Sequence, residues 1–346
     1  MHFLQTQKKP FIHLAHIILL SKLSFVLVLV MIIGISASII SVQAQQDYDI
    51  PQWIKNNAGW WADDSIDDES FVNGIKYLIE SGIMEINIDS TIQDQGDFYL
   101  TYKPNPNSPY SGDDTAIAWL KNVELLESEI AFLNETFRLP YDVEIVAQEC
   151  NAINAFYDSE SKQIVMCYEF VDGIFEDYYY YYGEDENFDV DAWGTYSYNV
   201  LDFIFFHEVG HALIDVYQLP ITGLEENVAD QFASLMLSYT YYESTGDYSL
   251  GQEMLYDVGT WFWISDELRY DNSDYYIFWD THNLDIQRFY NISCYAYGSD
   301  PQYNQGLVDE GYLPEDRAYW CEEEYLVMDK GWSNLLKDFD NGFFDV

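Results

Sequence analysis

The segment "LDFIFFHEVGHALIDVYQLP", Leu201 to Pro220, contains His207 and His211 four positions apart, and Glu208 directly follows the first histidine. On an α-helix, residues four apart project from the same face, about one turn from each other. Aromatic and aliphatic residues fill most of the remaining positions, as is typical of a helix with a buried face. The segment therefore predicts a helix with two imidazoles on one side and a carboxylate beside them.

Two imidazoles at this spacing can bind one tetrahedral zinc ion at about 2.0–2.1 Å each. Glu208 lies next to the first of them, so its carboxylate can reach a water activated by the metal without binding the metal itself. Gly210 has no side chain and leaves room for the sheet or a substrate, while Pro220 is expected to end the helix. His207 and His211 are thus predicted metal ligands, and Glu208 a catalytic general base.

A catalytic zinc ion needs a third protein ligand and an open position. Downstream, "GLEENVADQFASLML" predicts a second helix in which Glu226 and Asp230 lie four positions apart on one face. Glu226 is the predicted third ligand, and Asp230 is predicted to accept a hydrogen bond from the far nitrogen of a liganding histidine. Glu225 is the alternative ligand, but four positions after it stands Ala229, which cannot accept such a bond.

One more histidine stands outside the N-terminal segment. His282, in "WDTHNLDIQRFY", is the first candidate to donate a hydrogen bond to a tetrahedral oxyanion, and a purely structural role is the alternative. Arg288 in the same stretch could hold a substrate carboxylate or carbonyl. A structural salt bridge is the favoured role for Arg288 in so acidic a chain.

The motifs "HEVGH" and "EENVAD" together resemble the gluzincin arrangement of zinc metallopeptidases, in which His-Glu-x-x-His pairs with a later Glu-x-x-x-Asp. Residues 96–346 as a whole resemble a family of secreted metallopeptidases. The resemblance implies a zincin-like domain, a zinc cofactor and a peptide or protein substrate. The metzincin pattern does not fit, because its downstream Gly and His would fall at Ile214 and Tyr217.

The composition limits the partners of the chain. Among its 346 residues, 60 are acidic and 14 are basic, for a formal net charge of −46. Because binding to a phosphate backbone requires clustered Lys and Arg, nucleic acid is excluded as a partner. Apolar residues make up 49% of the chain, which is enough for a large core.

The N-terminal segment predicts export. The first 46 residues contain no Asp or Glu, and an uncharged run from Leu23 to Val42 follows three lysines. Residues 1–44 are therefore interpreted as a signal peptide, with Ala44 at the cleavage site, or as a membrane anchor. Both interpretations place the rest of the chain outside the cytoplasm, in the extracellular space or at the cell surface.

Four cysteines in an oxidising compartment predict two disulfides. Pairing neighbours closes short loops and joins Cys150 to Cys167 and Cys294 to Cys321. The first pair brackets two predicted strands joined through the polar turn "DSES".

The chain is predicted to continue after the export segment with a tryptophan-rich helical module, residues 47–92, in which the tryptophans pack in a core and Asp67 or Asp68 caps a helix. It resembles a module that recurs in exported archaeal proteins. Residues 96–346 are predicted to form an α+β domain, with an active-site helix, a second ligand helix and a short antiparallel sheet. The strands are predicted in "VEIVAQ" and "QIVMCYEF", and "FEDYYYYYGEDENFDVDAWGTYSY" is predicted to be a long loop.

Two alternatives remain open from the residues. In a deformylase-like site, the upstream Cys150 would supply the third ligand as a thiolate, which an oxidising compartment disfavours. In the other alternative the chain is a non-catalytic surface-binding protein on a peptidase scaffold. The presence of Glu208 favours the enzyme.

Overall fold

The computed structural model describes residues 55, 59–63, 65–80, 94–103, 109, 116–184, 188–245, 249–270 and 278–344. The chain divides into two compact units, one of residues 22–91 and one of residues 1–21 and 92–346. The predicted signal peptide or anchor, residues 1–44, lies outside the described residues. Among the residues that are described, no helix is both long enough and apolar enough to cross a membrane.

The described part of the smaller unit contains helix α1 (Asp68–Glu80). Asp67 caps it, since its carboxylate accepts the backbone N–H of Ser70 at 2.7 Å. The ring of Trp61 stacks on Phe71 at 4.6 Å, but Trp60 and Trp61 remain 54% and 43% exposed. Core packing is therefore wrong for these two tryptophans, since about half of each residue is exposed.

The larger unit combines a small sheet with helices. Its described strands are β1 (Phe98–Lys103), β2 (Val143–Gln148), β3 (Ala155–Asp158) and β4 (Gln163–Cys167). Its described helices are α2 (Ala116–Val123), α3 (Leu125–Thr136), α4 (Tyr168–Tyr182), α5 (Val190–Val216), α6 (Glu225–Thr245), α7 (Ser249–Tyr270), α8 (Asp285–Ser299), α9 (Gln305–Asp309) and α10 (Glu315–Leu336). These elements give the α+β class that was expected.

The four strands form a mixed sheet in the order β1-β2-β4-β3. β1 pairs with β2 in parallel, β2 pairs with β4 in parallel, and only β3 and β4 are antiparallel. The prediction of an antiparallel sheet is therefore wrong. Helices α2 and α3 lie between β1 and β2 in the chain and provide the long crossover that a parallel pair requires. The predicted hairpin through "DSES" is present as β3 and β4.

Helix α5 is the centre of the larger unit. Its 27 residues contact α4, α6, α7 and the edge strand β3. The helix starts at Val190, where the carboxylate of Asp189 accepts two backbone N–H groups, and it ends at Val216. Gln218 has a φ of 51°, so the chain leaves the helix before it reaches Pro220. The expected stop at Pro220 therefore comes four residues too late.

The tyrosine-rich stretch that was predicted to be a loop is largely helical, so this prediction is wrong. It forms most of α4 and the start of α5; residues 185–187 between them are outside the described set. Contacts between aromatic rings explain why this stretch is helical. The ring centres of Tyr178 and Tyr196 are 4.4 Å apart, and those of Phe175 and Trp193 are 5.3 Å apart in an edge-on arrangement. Tyr196 is buried, and Phe175, Tyr178 and Trp193 are partly buried where the two helices pack, whereas Tyr179, Tyr180 and Tyr181 are exposed. The contacts between aromatic rings thus join the two helices, and the many acidic residues obscure this pattern in the sequence.

Both disulfides that were expected are present. Cys150–Cys167 joins the segment before β3 to the end of β4, and Cys294–Cys321 joins α8 to α10. All four cysteines are thereby bonded, with none left free in the described chain.

Candidate metal centre

Three donor atoms converge where α5 meets the first turn of α6. The Nε2 atoms of His207 and His211 are 3.2 Å apart, and Oε2 of Glu226 lies 3.2 Å from each of them. Donor atoms that bind one tetrahedral zinc ion at about 2.0–2.1 Å are separated from one another by about 3.3 Å. The triangle therefore has the dimensions expected of three donor atoms around one tetrahedral zinc ion.

Gly210 allows the two helices to approach this closely. A Cβ atom at this position would lie 3.2 Å from Cα of Ala229 and 3.4 Å from Cβ of Phe232, both on α6. The neighbour of Gly210 is thus helix α6, and the expectation that a sheet or substrate lies there is wrong. The missing side chain serves the geometry of the centre by letting α6 bring Glu226 to the histidines.

Asp230 lies behind His207, as the spacing predicted. Its Oδ1 is 2.8 Å from Nδ1 of His207, and its side chain is only 6% exposed. Arg288 donates to both of its oxygens, from Nε at 2.9 Å and from Nη2 at 2.5 Å. Burial alone would raise the pKa of Asp230, but the charge of Arg288 and the bond to His207 hold this pKa at about 2. Arg288 thus forms the expected structural salt bridge.

Glu225 has a role that the sequence reasoning missed. Its Oε1 lies 2.8 Å from Nδ1 of His211. Glu225 therefore contacts the second imidazole, while the adjacent residue, Glu226, is the proposed ligand. Each imidazole therefore has its own carboxylate at Nδ1 and turns Nε2 toward the centre. The only sequence signal was the pair of adjacent glutamates at the start of α6, which had been read as a choice between two ligands.

Burial and hydrogen bonding act in opposite directions on the pKa values of His207 and Glu226. Burial lowers the pKa of His207, but its hydrogen bonds with Asp230 and Glu226 outweigh burial and raise this pKa to about 9. Burial raises the pKa of Glu226, yet hydrogen bonds from His207, His211 and His282 leave it well below the usual range of a carboxyl. Glu226 therefore stays ionised, as a metal ligand must be.

Glu208 lies between α5 and the edge strand β3. It is 6% exposed, and burial raises the pKa of its carboxyl, while the charges of His207 and His211 lower it. The backbone of Tyr157 on β3 makes a smaller contribution, which also lowers the pKa of this carboxyl. A glutamate whose pKa is raised by burial is suited to accept and return a proton near neutral pH.

His282 lies beside the centre, on the segment that precedes α8. Its Nε2 is 2.8 Å from Oε2 of Glu226, and its ring is 6.3 Å from that of His207. It lies outside the group of three residues whose donor atoms are all within 4.8 Å of one another. The next residue, Asn283, donates to Asn227 of α6 at 2.8 Å. His282 thus contacts a proposed ligand from outside the ligand set, and its catalytic role remains a prediction.

A second cluster of potential ligands has a different explanation. Cys150, Cys167 and Glu169 lie close together, but the two cysteines are bonded to each other. The carboxylate of Glu169 accepts the backbone N–H groups of Cys150 and Asn151. Because Cys150 is not a free thiol, it cannot be the third ligand of a deformylase-like site, and that alternative is excluded.

Comparison with known proteins gives one family. The sequence model of family DUF4344, described as "Putative metallopeptidase", matches residues 107–336. No curated protein and no solved structure matches the chain. The matched span includes the three donor residues, Glu208 and the carboxylates behind the imidazoles.

Proposed function

This chain belongs to that metallopeptidase family, and from this premise we propose that it is an exported zinc-dependent peptidase with Glu208 as its general base. Membership supports a metal-dependent hydrolase that acts on peptide bonds. The observation that carries the finer proposal is the triangle of His207 Nε2, His211 Nε2 and Glu226 Oε2, with sides of 3.2 Å.

Zinc is the proposed metal because of the donor set. Two imidazoles and one carboxylate are typical of catalytic zinc, whereas calcium and magnesium prefer sites made of oxygen atoms alone. The spacing of the three donor atoms also matches zinc bond lengths. The ligand set proposed is therefore His207, His211 and Glu226.

The roles of the surrounding residues follow from their positions. When bound, zinc would lower the pKa of a water and polarise the scissile carbonyl. Glu208 would take the proton of the attacking water and deliver it to the leaving amine nitrogen. His282 would exchange its bond with Glu226 for a hydrogen bond to the developing oxyanion.

Export is part of the same proposal. Two disulfides suit an oxidising compartment outside the cytoplasm. The N-terminal residues 1–44 would direct the export, residues 47–92 would form a separate helical module, and residues 96–346 would form a zincin-like peptidase domain.

The test is Glu208→Gln in the mature chain, with zinc content measured by mass spectrometry and cleavage measured on an unfolded protein substrate. We expect about one zinc per chain in both forms and a loss of cleavage of about 10²–10⁴-fold in the variant. Glu322→Gln, which removes an exposed carboxylate from α10, is the control and should retain both properties. A wild-type chain without bound metal, or cleavage by Glu208→Gln at the wild-type rate, would overturn the proposal. A wild-type chain that cleaves no substrate would also overturn it and would favour a binding protein on a peptidase scaffold.

A further inference from the structure

Arg288 of α8 is the last member of a line of contacts that starts at the metal centre. His207 belongs to α5, its partner Asp230 to α6, and Arg288 to α8. The guanidinium carbon of Arg288 also lies 4.1 Å from the ring centre of Phe262 on α7. Four successive helices thus each contribute one residue to this line. Arg288 is 8% exposed and lies in the core rather than at an open substrate site.

The hydrogen bonds of Asp230 leave it little freedom to rotate. Its Oδ2 accepts from Nε of Arg288, and its Oδ1 accepts from Nη2 of Arg288 and lies at hydrogen-bond distance from Nδ1 of His207. A planar guanidinium that binds both oxygens fixes the plane of a carboxylate, which a lysine ammonium does not do. The orientation of Asp230 toward His207 is therefore set by Arg288.

Stability alone is a poor explanation for this pair. Removing an arginine and an aspartate from water is costly, and well-packed apolar residues often replace a buried ion pair at no loss of stability. Phe262 already lies against the guanidinium and would suit an apolar neighbour. Oδ1 of Asp230 belongs to the ion pair and also contacts the imidazole of His207. The ion pair can therefore orient His207 in addition to any effect on stability.

We propose that Arg288 is a positioning residue of the metal centre: it orients Asp230, and Asp230 in turn holds the ring of His207 with Nε2 directed at the ion. Helix α8 thereby contributes to metal affinity without providing a ligand. The inference rests on the zinc site proposed above and extends it to a residue that contacts neither metal nor substrate.

The test measures zinc affinity, by competition with a chromophoric chelator, in Arg288→Met and Arg288→Lys. Partners behind a metal ligand change metal affinity by about 10–100-fold, so we expect a loss of this size in Arg288→Met and a smaller loss in Arg288→Lys. The absorption spectrum of the Co²⁺-substituted protein should also change in Arg288→Met, since the geometry at His207 is altered. Arg317→Met is the matched control: Arg317 makes the same kind of two-bond pair, at 2.8 and 2.7 Å, with Glu324 on α10. It should keep wild-type zinc affinity.

A double-mutant cycle with Asp230→Asn tests the route. Because Arg288 is proposed to act through Asp230, the double variant should bind zinc about as weakly as Asp230→Asn alone. Additive losses would overturn the proposal, as would wild-type zinc affinity in every folded Arg288 variant. Thermal unfolding of the chelator-treated proteins identifies the folded variants, and Arg288→Lys decides the matter if Arg288→Met does not fold. Failure of the wild-type chain to bind zinc would instead contradict the proposed function.

Discussion

Oε1 of Glu225 lies 2.8 Å from Nδ1 of His211, in the same relationship that Asp230 has to His207. The two pairs differ in their surroundings: the side chain of Glu225 is 49% exposed, whereas that of Asp230 is 6% exposed. A hydrogen bond to a charged group is stronger where water is excluded, so the two histidines are held with unequal strength.

This difference predicts unequal effects on zinc affinity. Asp230→Asn should weaken zinc binding by about 10–100-fold, because a buried partner of His207 is lost. Glu225→Gln should weaken it by no more than about fivefold, as expected for an exposed pair worth about 0.2–1 kcal/mol. Competition with a chromophoric chelator measures both. Equal losses in the two variants would show that exposure does not set the strength of these contacts.

The close approach at Gly210 predicts that Gly210→Ala separates the two ligand helices. The new methyl group would lie 3.2 Å from the backbone of Ala229, so α6 must move or the core is strained by about 1–3 kcal/mol. We expect a lower melting temperature and weaker zinc binding. The control is Gly331→Ala on α10, where an added Cβ meets no atom within 4 Å. That variant should be more stable by about 0.5–1 kcal/mol, with zinc affinity unchanged.

The two disulfides are predicted to differ in their rates of reduction. Cys294 and Cys321 are both fully buried, whereas Cys150 is only partly buried. Since a thiol must reach a sulfur atom to reduce the bond, mild reductant should open Cys150–Cys167 first. Alkylation followed by peptide mass spectrometry gives the order, and the reverse order would contradict the buried position of the α8–α10 bond. Loss of either bond should reduce stability by about 3–4 kcal/mol, as judged from the loop that each closes.

Asp172 on α4 predicts how stability varies with pH. Burial and the nearby charges of Glu176 and Glu169 raise the pKa of Asp172 to about 6. Between about pH 4 and 6 the folded chain therefore holds a proton that the unfolded chain has lost, so this group reduces stability as the pH rises through that range. A pKa difference of about two units between the folded and unfolded chain corresponds to about 3 kcal/mol, and solvent screening of this partly exposed group reduces that figure. Asp172→Asn should therefore remove the penalty and raise the free energy of unfolding at pH 7 by about 1–2 kcal/mol.

Urea unfolding of wild type and Asp172→Asn at pH 3.5 and pH 7 measures the effect. The two proteins should nearly agree at the lower pH, where Asp172 is protonated in the folded chain and mostly protonated in the unfolded chain. Glu322→Gln also removes one negative charge, but from an exposed position, and should leave the pH dependence unchanged. A gain in Asp172→Asn that is the same at both pH values would mean that packing, and not ionisation, is the cause.

Sequence reasoning succeeded at the centre where the spacing within one helix was sufficient. His207 and His211 share a face because 3.6 residues make a turn, and the same rule places Glu226 and Asp230 on one face of α6. The short loops closed by the two disulfides and the hairpin of β3 and β4 are equally local. Such features depend on the geometry of a short stretch of backbone, and the order of residues in that stretch is enough to predict them.

The remaining features depend on how distant elements meet. Whether Glu225 or Glu226 faces the donor triangle is set by the rotation of α6 against α5 at Gly210, and whether Arg288 meets Asp230 is set by the packing of α8. The parallel pairing of β1 with β2 likewise arises from contact between strands that are separated by two helices in the chain. The helical state of the tyrosine-rich stretch depends on the packing of two consecutive helices against each other. Burial of specific surfaces provides the energy for these contacts, and a pattern of residues along one segment does not contain the identity of its partner.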